Sequence, residues 1–190
     1  MIMRNRSSEA QGLSVALRLF IHYMGDIHQP MHCLSRYTKD EFPKGDGGGN
    51  YFMVLNHYDA AELHAVWDED IYNYHASLKR PFDDDGWAAL EELSTALDSS
   101  VSLTGGEVLL SDFNSIATES NERGSKVAYK GIKSSASTPL PDSYLKSVTP
   151  VASKQMVLAG HRLAHQIVEI FSSSEMIQDS ADLYLENEAG

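Results

Sequence analysis

The chain has 190 residues, of which 42% are hydrophobic, with six prolines, one cysteine and a formal net charge of −12. This length and composition suit one globular domain with a sizeable core, and they exclude a disordered chain. The negative charge excludes broad electrostatic binding of nucleic acid, because phosphate contacts normally come from clustered lysine and arginine. We therefore expect a single domain over residues 1–190, with a frayed acidic tail from 173 to 190.

The first predicted element is a helix from about Glu9 to Asp26. It carries apolar residues at intervals of three and four, namely Leu13, Ala16, Leu17, Phe20 and Met24. The opposite face also carries Val15 and Leu19, so the helix is apolar almost all round, and we expect it to be buried. Pro30 should end or bend it.

Histidine and aspartate are paired at a spacing of four residues in two places. His22 precedes Asp26, and His64 precedes Asp68. On a helix this spacing places both side chains on one face, one turn apart, so each pair can bind a metal ion from one rigid element. One such pair alone is more often a surface hydrogen bond. A buried histidine and carboxylate, however, need a partner, and a metal ion would satisfy both.

His32 stands outside both pairs and would form an open site with His64 and Asp68. Imidazole and carboxylate ligands without thiolate are typical of catalytic zinc, which keeps a fourth position for water. The single cysteine, Cys33, excludes an internal disulfide and is interpreted as a small buried residue rather than a ligand. We interpret His28 as a core histidine in preference to a residue that orients a ligand.

A loop and a short hairpin are predicted between the ligand-bearing helices. Residues 35–49 mix basic with acidic residues, which favours a solvated loop over a phosphate-binding surface. Residues 51–56 are predicted to be a strand, one arm of a small hairpin at the mouth of the site. A helix from about Ala60 to Tyr74 then carries His64 and Asp68.

The rest of the chain is predicted to be helical scaffold. Residues 83–85 should cap one helix, and residues 105–106 should precede another. Residues 149–150 have the threonine-then-proline order that favours a helix start, so we expect the last long helix to begin there. His161 and His165 on that helix are interpreted as surface residues or as residues that support ligands, because no carboxylate pattern accompanies them.

Three sequence runs together resemble a known enzyme family. GDIHQPMH at 25–32, GGN at 48–50 and LHAVWD at 63–68 resemble the zinc-dependent single-strand nucleases of the S-one/P-one family, which includes 3'-nucleotidases and is distantly similar to zinc phospholipase C. ATES at 117–120 and AGHRLA at 159–164 extend the resemblance to roughly residues 10–172. It implies an all-α fold, mainly a helical bundle, with a small β-hairpin near the site. It also implies a secreted or lumenal location, although this chain carries no signal peptide core after its first eight residues.

The resemblance also implies site residues. The zinc ligands it implies are His22 and Asp26 for a pair of ions, which Asp26 bridges as the catalytic residue, and His32, His64 and Asp68 for a third ion. In the family the pair takes its other ligands from an upstream segment, whereas before His22 this chain has no histidine, aspartate or tryptophan. We therefore expect an N-terminally incomplete family member with one complete zinc site. Asn50 matches the GGN asparagine and is expected to contact the substrate or its phosphate.

The expected function is hydrolysis of phosphodiester bonds in single-stranded DNA or RNA to 5'-phosphate products, together with 3'-nucleotidase activity. Without the upstream ligands we expect weak or no activity from the chain alone. Two alternatives stay open: a catalytically impaired zinc-binding fragment or nucleic-acid-binding pseudo-enzyme, and a zinc phospholipase C. The phospholipase would need an exposed apolar rim near the ligands, which the sequence does not indicate. No apolar run approaches the length of a membrane span, so no stable membrane association is expected.

Overall fold

The computed structural model describes residues 9–57, 60–69, 81–135 and 137–172, which are mainly helical. In chain order the elements are α1 Glu9–Asp26, a 3-10 turn Pro30–His32, β1 Met53–His57, β2 Ala60–Glu62, α2 Leu63–Asp68, α3 Asp84–Ser99, α4 Gly105–Val108, α5 Phe113–Ser125 and α6 Asp142–Ser172. This confirms the predicted all-α class with one small hairpin. None of the helices within these ranges is both long and apolar enough for a membrane span. The predicted acidic tail, 173–190, lies outside the described residues.

The hairpin leads directly into the helix that carries two of the predicted ligands. β1 and β2 pair antiparallel, and α2 follows β2 without a loop. α2 buries Leu63, Val66 and Trp67 completely. The predicted helix therefore begins three residues later than Ala60, because Ala60–Glu62 pairs with β1 instead. Its predicted continuation to Tyr74 lies beyond the described residues.

A hydrogen-bonded aromatic pair fastens α2 to α6. Trp67 Nε1 donates to the Tyr144 hydroxyl at 2.9 Å, and this hydroxyl donates to the Ala128 carbonyl at 2.7 Å. Both rings are buried in the main core, and burial raises the pKa of the Tyr144 hydroxyl. The hydroxyl therefore stays protonated and serves as donor and acceptor, which is how a buried polar tip avoids the cost of lost hydration.

The helix α1 has the predicted bounds but not the predicted burial. Leu13, Val15 and Leu19 are 43%, 42% and 36% exposed, and Met24 is the one buried side chain among residues 11–26. The helix packs mainly against α6. The apolar periodicity thus predicted the helix correctly, whereas the expectation that all its faces would be covered is wrong for the described part of the chain.

The last helix begins at Asp142, seven residues before the predicted start at Thr149. The carbonyl of Pro141 accepts the backbone N–H of Tyr144 at 2.9 Å and so begins the first turn. Pro150 lies inside α6, where it removes one backbone donor, and the Thr149 hydroxyl donates to the Leu145 carbonyl at 2.8 Å. Buried side chains before and after the proline keep the helix packed on the core, so packing outweighs the local signal.

The predicted helix after residues 105–106 is two helices. α4 begins at Gly105 itself, behind a capping box formed by Thr104 and Glu107. α5 begins separately, capped by the Asp112 carboxylate, which accepts the Ser115 N–H at 2.8 Å. The helix α3, in contrast, begins as predicted, behind an aspartate cap at 83. Two strong caps within a few residues explain the break that the glycines alone did not indicate.

Candidate metal centre

Three of the five predicted ligands lie together. His32 from the 3-10 turn and His64 and Asp68 from α2 offer ligand atoms within 4.8 Å of one another. His64 Nε2 lies 3.6 Å from Asp68 Oδ2, and His32 Nε2 lies 4.0 Å from Asp68 Oδ1. Two ligand atoms on one tetrahedral zinc ion are about 3.4 Å apart. The cluster could therefore accept such an ion with only small side-chain movements.

The loop of residues 47–50, called the glycine loop below, fixes the orientation of His64. Its Nδ1 lies 2.7 Å from the Gly48 carbonyl oxygen. An oxygen acceptor requires a proton on Nδ1, so Nε2 keeps its lone pair and faces Asp68, as metal binding requires. Gly48 has a φ of +67°, and a Cβ there would lie 2.4 Å from the Met31 carbonyl oxygen. Only glycine lets the loop approach this closely, which explains the glycines of the GGN run.

A buried carboxylate holds this loop in place. Asp46 is 0% exposed; its Oδ1 accepts the Ser35 hydroxyl at 3.0 Å and the Arg36 N–H at 2.9 Å, and its Oδ2 accepts the Tyr129 hydroxyl at 2.6 Å. The Arg36 guanidinium lies 5.6 Å from the ring centres of Phe52 and Tyr129. The expectation of a solvated mixed-charge loop is therefore wrong at Asp46. Its glycine neighbours were the available signal for a tight turn.

The other predicted pair is more exposed than expected. His22 Nε2 lies 3.2 Å from Asp26 Oδ2, but the two side chains are 67% and 32% exposed. The expected burial of this pair is thus wrong, and water can solvate His22 without an ion. Among the described residues, no third histidine, cysteine or carboxylate joins the two in a compact ligand cluster. Asp26 nevertheless lines a cavity of about 220 Å³ together with His32 and Asp68.

Asn50 lies at the rim of a cleft beside the cluster. The cleft has a volume of about 690 Å³, and His32 and His64 line it as well. The Asn50 carboxamide donates to the Gly47 carbonyl at 2.7 Å, so the side chain folds back on its own loop. A molecule bound in this cleft would lie within reach of Asn50 and of two predicted ligands.

An apolar groove borders the other side of the cluster. It has a volume of about 610 Å³, and both Asp26 and His32 line it. Two aromatic side chains on its wall, Tyr23 and Phe113, are 59% and 50% exposed. The sequence indicates no exposed apolar rim near the ligands, and this groove corrects that expectation.

Neither His28 nor Cys33 is a candidate ligand. His28 is 1% exposed; its Nδ1 donates to the Met24 carbonyl at 2.6 Å, and its Nε2 accepts from Arg162 at 3.0 Å. Burial, reinforced by the Arg162 guanidinium, lowers the pKa of His28 to about 4. The Cys33 thiol donates to the Ile27 carbonyl at 3.3 Å, and burial raises its pKa. His28 is therefore a neutral core histidine, as interpreted from the sequence, and Cys33 is a protonated thiol.

The low pKa of His28 predicts a pH-dependent stability. The unfolded chain takes up this proton near pH 6.5, whereas the folded protein resists it down to pH about 4. The contribution of His28 to the free energy of unfolding is therefore complete above pH 6.5 and falls as the pH drops towards 4, by at most about 3 kcal/mol. Urea unfolding from pH 4.5 to 7.5 measures this slope, and His28→Gln should flatten it. Equal slopes in the two proteins would contradict the prediction.

An ionic network around the buried Arg162 joins α4, α5 and α6 and contacts His28. Arg162 is 0% exposed and donates to both carboxylate oxygens of Glu119, at 3.0 and 3.1 Å. Its Nε donates to the Glu107 carbonyl at 2.9 Å, and Arg123 joins both glutamates. The network joins the ATES and AGHRLA segments, to which the sequence analysis assigned no structural role. His161, on the same helix, is exposed and pairs with Asp98, in agreement with the surface interpretation.

Comparison with known proteins shows the family. A family profile described as S1/P1 nuclease matches residues 1–172. The chain is similar to Endonuclease 1 of Arabidopsis thaliana, with 31% identity over 177 residues that cover 90% of this chain and 54% of the relative. Endonuclease 3 of the same plant is 33% identical over 177 residues, or 87% of this chain and 54% of the relative. Endonuclease 5 is 30% identical over 167 residues, or 85% and 52%.

The chain spans about half the length of the curated relatives it matches. The matched part nevertheless includes the glycine loop, both histidine–aspartate pairs and the ionic network around Arg162. Because the family profile extends over most of the chain and takes in all five predicted ligands, the protein belongs to the S1/P1 nuclease family.

Proposed function

We propose that the chain carries part of the active centre of a zinc-dependent endonuclease. The substrate would be single-stranded DNA or RNA, cut to 5'-phosphate products, and 3'-nucleotides would be dephosphorylated at the same centre. The observation that carries the proposal is the cluster of His32, His64 and Asp68, with three ligand atoms within 4.8 Å beside an open cleft. Membership of the S1/P1 nuclease family supports it, as do relatives named endonucleases.

The donor set of the cluster fits zinc. His32 and His64 would bind through Nε2 and Asp68 through its carboxylate, a combination that is typical of open catalytic sites. When bound, the ion would supply Lewis-acid stabilisation of the negative charge that develops on the phosphate oxygens. Asp26 shares a cavity with His32 and Asp68, which supports a role for it, with His22, in holding the further ions that the family resemblance implies.

The chain itself would contribute substrate positioning. With a net charge of −12 the protein cannot attract a phosphate by overall charge, so the attraction must be local. Asn50 is a neutral group on the rim of the cleft next to His32 and His64. We propose that its carboxamide turns from the Gly47 carbonyl to contact the phosphate or a nearby sugar or base.

Cleavage assays test this function. We expect the chain alone to cut a single-stranded oligonucleotide weakly or not at all, and a chimaera that adds the upstream segment of Endonuclease 3 to cut it faster. Cleavage should stop with a chelator, return with zinc and leave a matched duplex intact. Binding of single strands without cleavage by either protein, at any zinc concentration, would instead support the pseudo-enzyme alternative.

Phospholipase C chemistry is a second candidate, which one observation favours. The apolar groove beside Asp26 and His32 could accept an acyl chain or another apolar group next to the ligands. The same proteins and zinc concentrations should therefore be assayed on phosphatidylcholine vesicles. Release of phosphocholine faster than cleavage of single-stranded DNA would favour this candidate over the nuclease.

A further inference from the structure

One residue outside the ligand set contacts both elements that carry the clustered residues His32, His64 and Asp68. The Gln29 carboxamide oxygen accepts the Met31 N–H and so caps the 3-10 turn that ends at His32. Its Nε2 donates to Asp68 Oδ1 at 2.7 Å. A single side chain therefore connects the turn that bears one predicted ligand to the carboxylate of another.

The hydrogen-bond partners fix which way the carboxamide points. The Met31 N–H can bond only to the carboxamide oxygen, which leaves the NH₂ group facing Asp68. The bond to Asp68 joins a donor to a charged carboxylate and is therefore of the stronger kind. It holds Asp68 Oδ1, whereas Oδ2 is the oxygen that lies nearer His64. The side chain of Asp68 is 42% exposed, so this bond limits a rotation that water would otherwise permit.

We propose that Gln29 is a positioning residue of the metal centre. It holds His32 and Asp68 at ligand spacing before the ion arrives, so that binding does not have to order two separate elements. This inference rests on the proposed zinc site and adds to it a residue that acts through Asp68 rather than on the ion. Groups that orient metal ligands in this way typically change metal affinity by roughly 10- to 100-fold.

Other hydrogen bonds also anchor the 3-10 turn and its flanking residues. The contact that distinguishes Gln29 from them is its bond to Asp68. Asn121 donates to the Cys33 carbonyl at 2.8 Å, and Gln155 donates to the His28 carbonyl at 3.0 Å. Neither of these hydrogen bonds reaches the carboxylate of α2. The turn therefore keeps its anchors when Gln29 is changed, and Asn121 offers a matched control.

Zinc titration of the complete chain, with zinc alone as the probe, tests the proposal. Gln29→Glu keeps an oxygen for the Met31 N–H but loses the donor to Asp68, whereas Gln29→Met loses both contacts. We expect each variant to bind zinc roughly 10- to 100-fold more weakly, with a metal-free Tm close to that of the parent chain. Asn121→Ala should bind zinc like the parent chain.

The outcomes separate this inference from the proposed function. If the parent chain binds zinc and Gln29→Glu binds it as tightly or more tightly, Gln29 is only a turn cap and the proposal is overturned, while the metal site stands. If Asn121→Ala is weakened as much as Gln29→Glu, general loosening of the turn explains the effect and the proposal also fails. If the parent chain binds no zinc at all, both the metal site and the role of Gln29 are overturned.

Discussion

Replacing His64 with alanine is expected to remove zinc from the cluster, with a loss of affinity greater than about 100-fold, or more than about 2.7 kcal/mol. The ring is held by its hydrogen bond to the Gly48 carbonyl and is only 15% exposed, so it is the best oriented of the three candidate ligands. Without it, His32 and Asp68 would be the two remaining donors of the cluster, too few for a stable tetrahedral site. Elemental analysis after dialysis should give about one zinc per parent chain and none for the variant.

A second histidine variant controls for general effects of the substitution. His161 lies on α6 and pairs with Asp98 at 2.7 Å, away from the cluster. His161→Ala should keep its zinc, and equal losses in the two variants would contradict the assignment of the ligands. Two or three zinc ions per parent chain would mean that other residues complete the site at His22 and Asp26.

The structure differs from the sequence-based expectations where long-range packing decides. A spacing of four residues places His64 and Asp68 on one face of any helix, so their proximity could be predicted from the geometry of a turn. The exposure of His22 could not be predicted, because it depends on which elements cover α1, and no local pattern encodes that. Pro150 is similar: its local preference for a helix start was outweighed by the core contacts of α6.

Polar residues that form long-range contacts were the hardest to predict. Asp46, Arg162 and Gln29 each act through partners distant in the sequence, and their residue types are mostly found on surfaces. Hydrophobic periodicity assigns such residues to the solvent face. The sequence therefore predicted that His32, His64 and Asp68 would lie together, but not the polar groups that contact them, which only the folded arrangement reveals.

Replacing Arg162 with methionine is expected to lower the free energy of unfolding by about 3–5 kcal/mol. The guanidinium is completely buried and donates to Glu119, to His28 Nε2 and to the Glu107 carbonyl. Methionine fills much of the same space but donates to none of them. His28 Nε2 would then be buried without this donor, and Glu119 would lose a bidentate partner. Leaving a buried polar group unpaired costs more free energy than the hydrogen bond contributed on balance.

Urea unfolding at pH 7 measures this loss, and Lys154→Met provides the matched control. Lys154 also pairs with a glutamate of the network, Glu107, at 2.6 Å, but its side chain is 32% exposed, so its loss should cost less than about 1 kcal/mol. Equal losses in the two variants would contradict the special cost of the buried cation. Adding Glu119→Gln to Arg162→Met should restore little of the stability, because Glu119 keeps Arg123 as a partner at 3.1 Å after the first change. Neither residue is a candidate ligand, so the double variant should still bind zinc once folded. This result would separate the stability of the fold from zinc binding at the cluster.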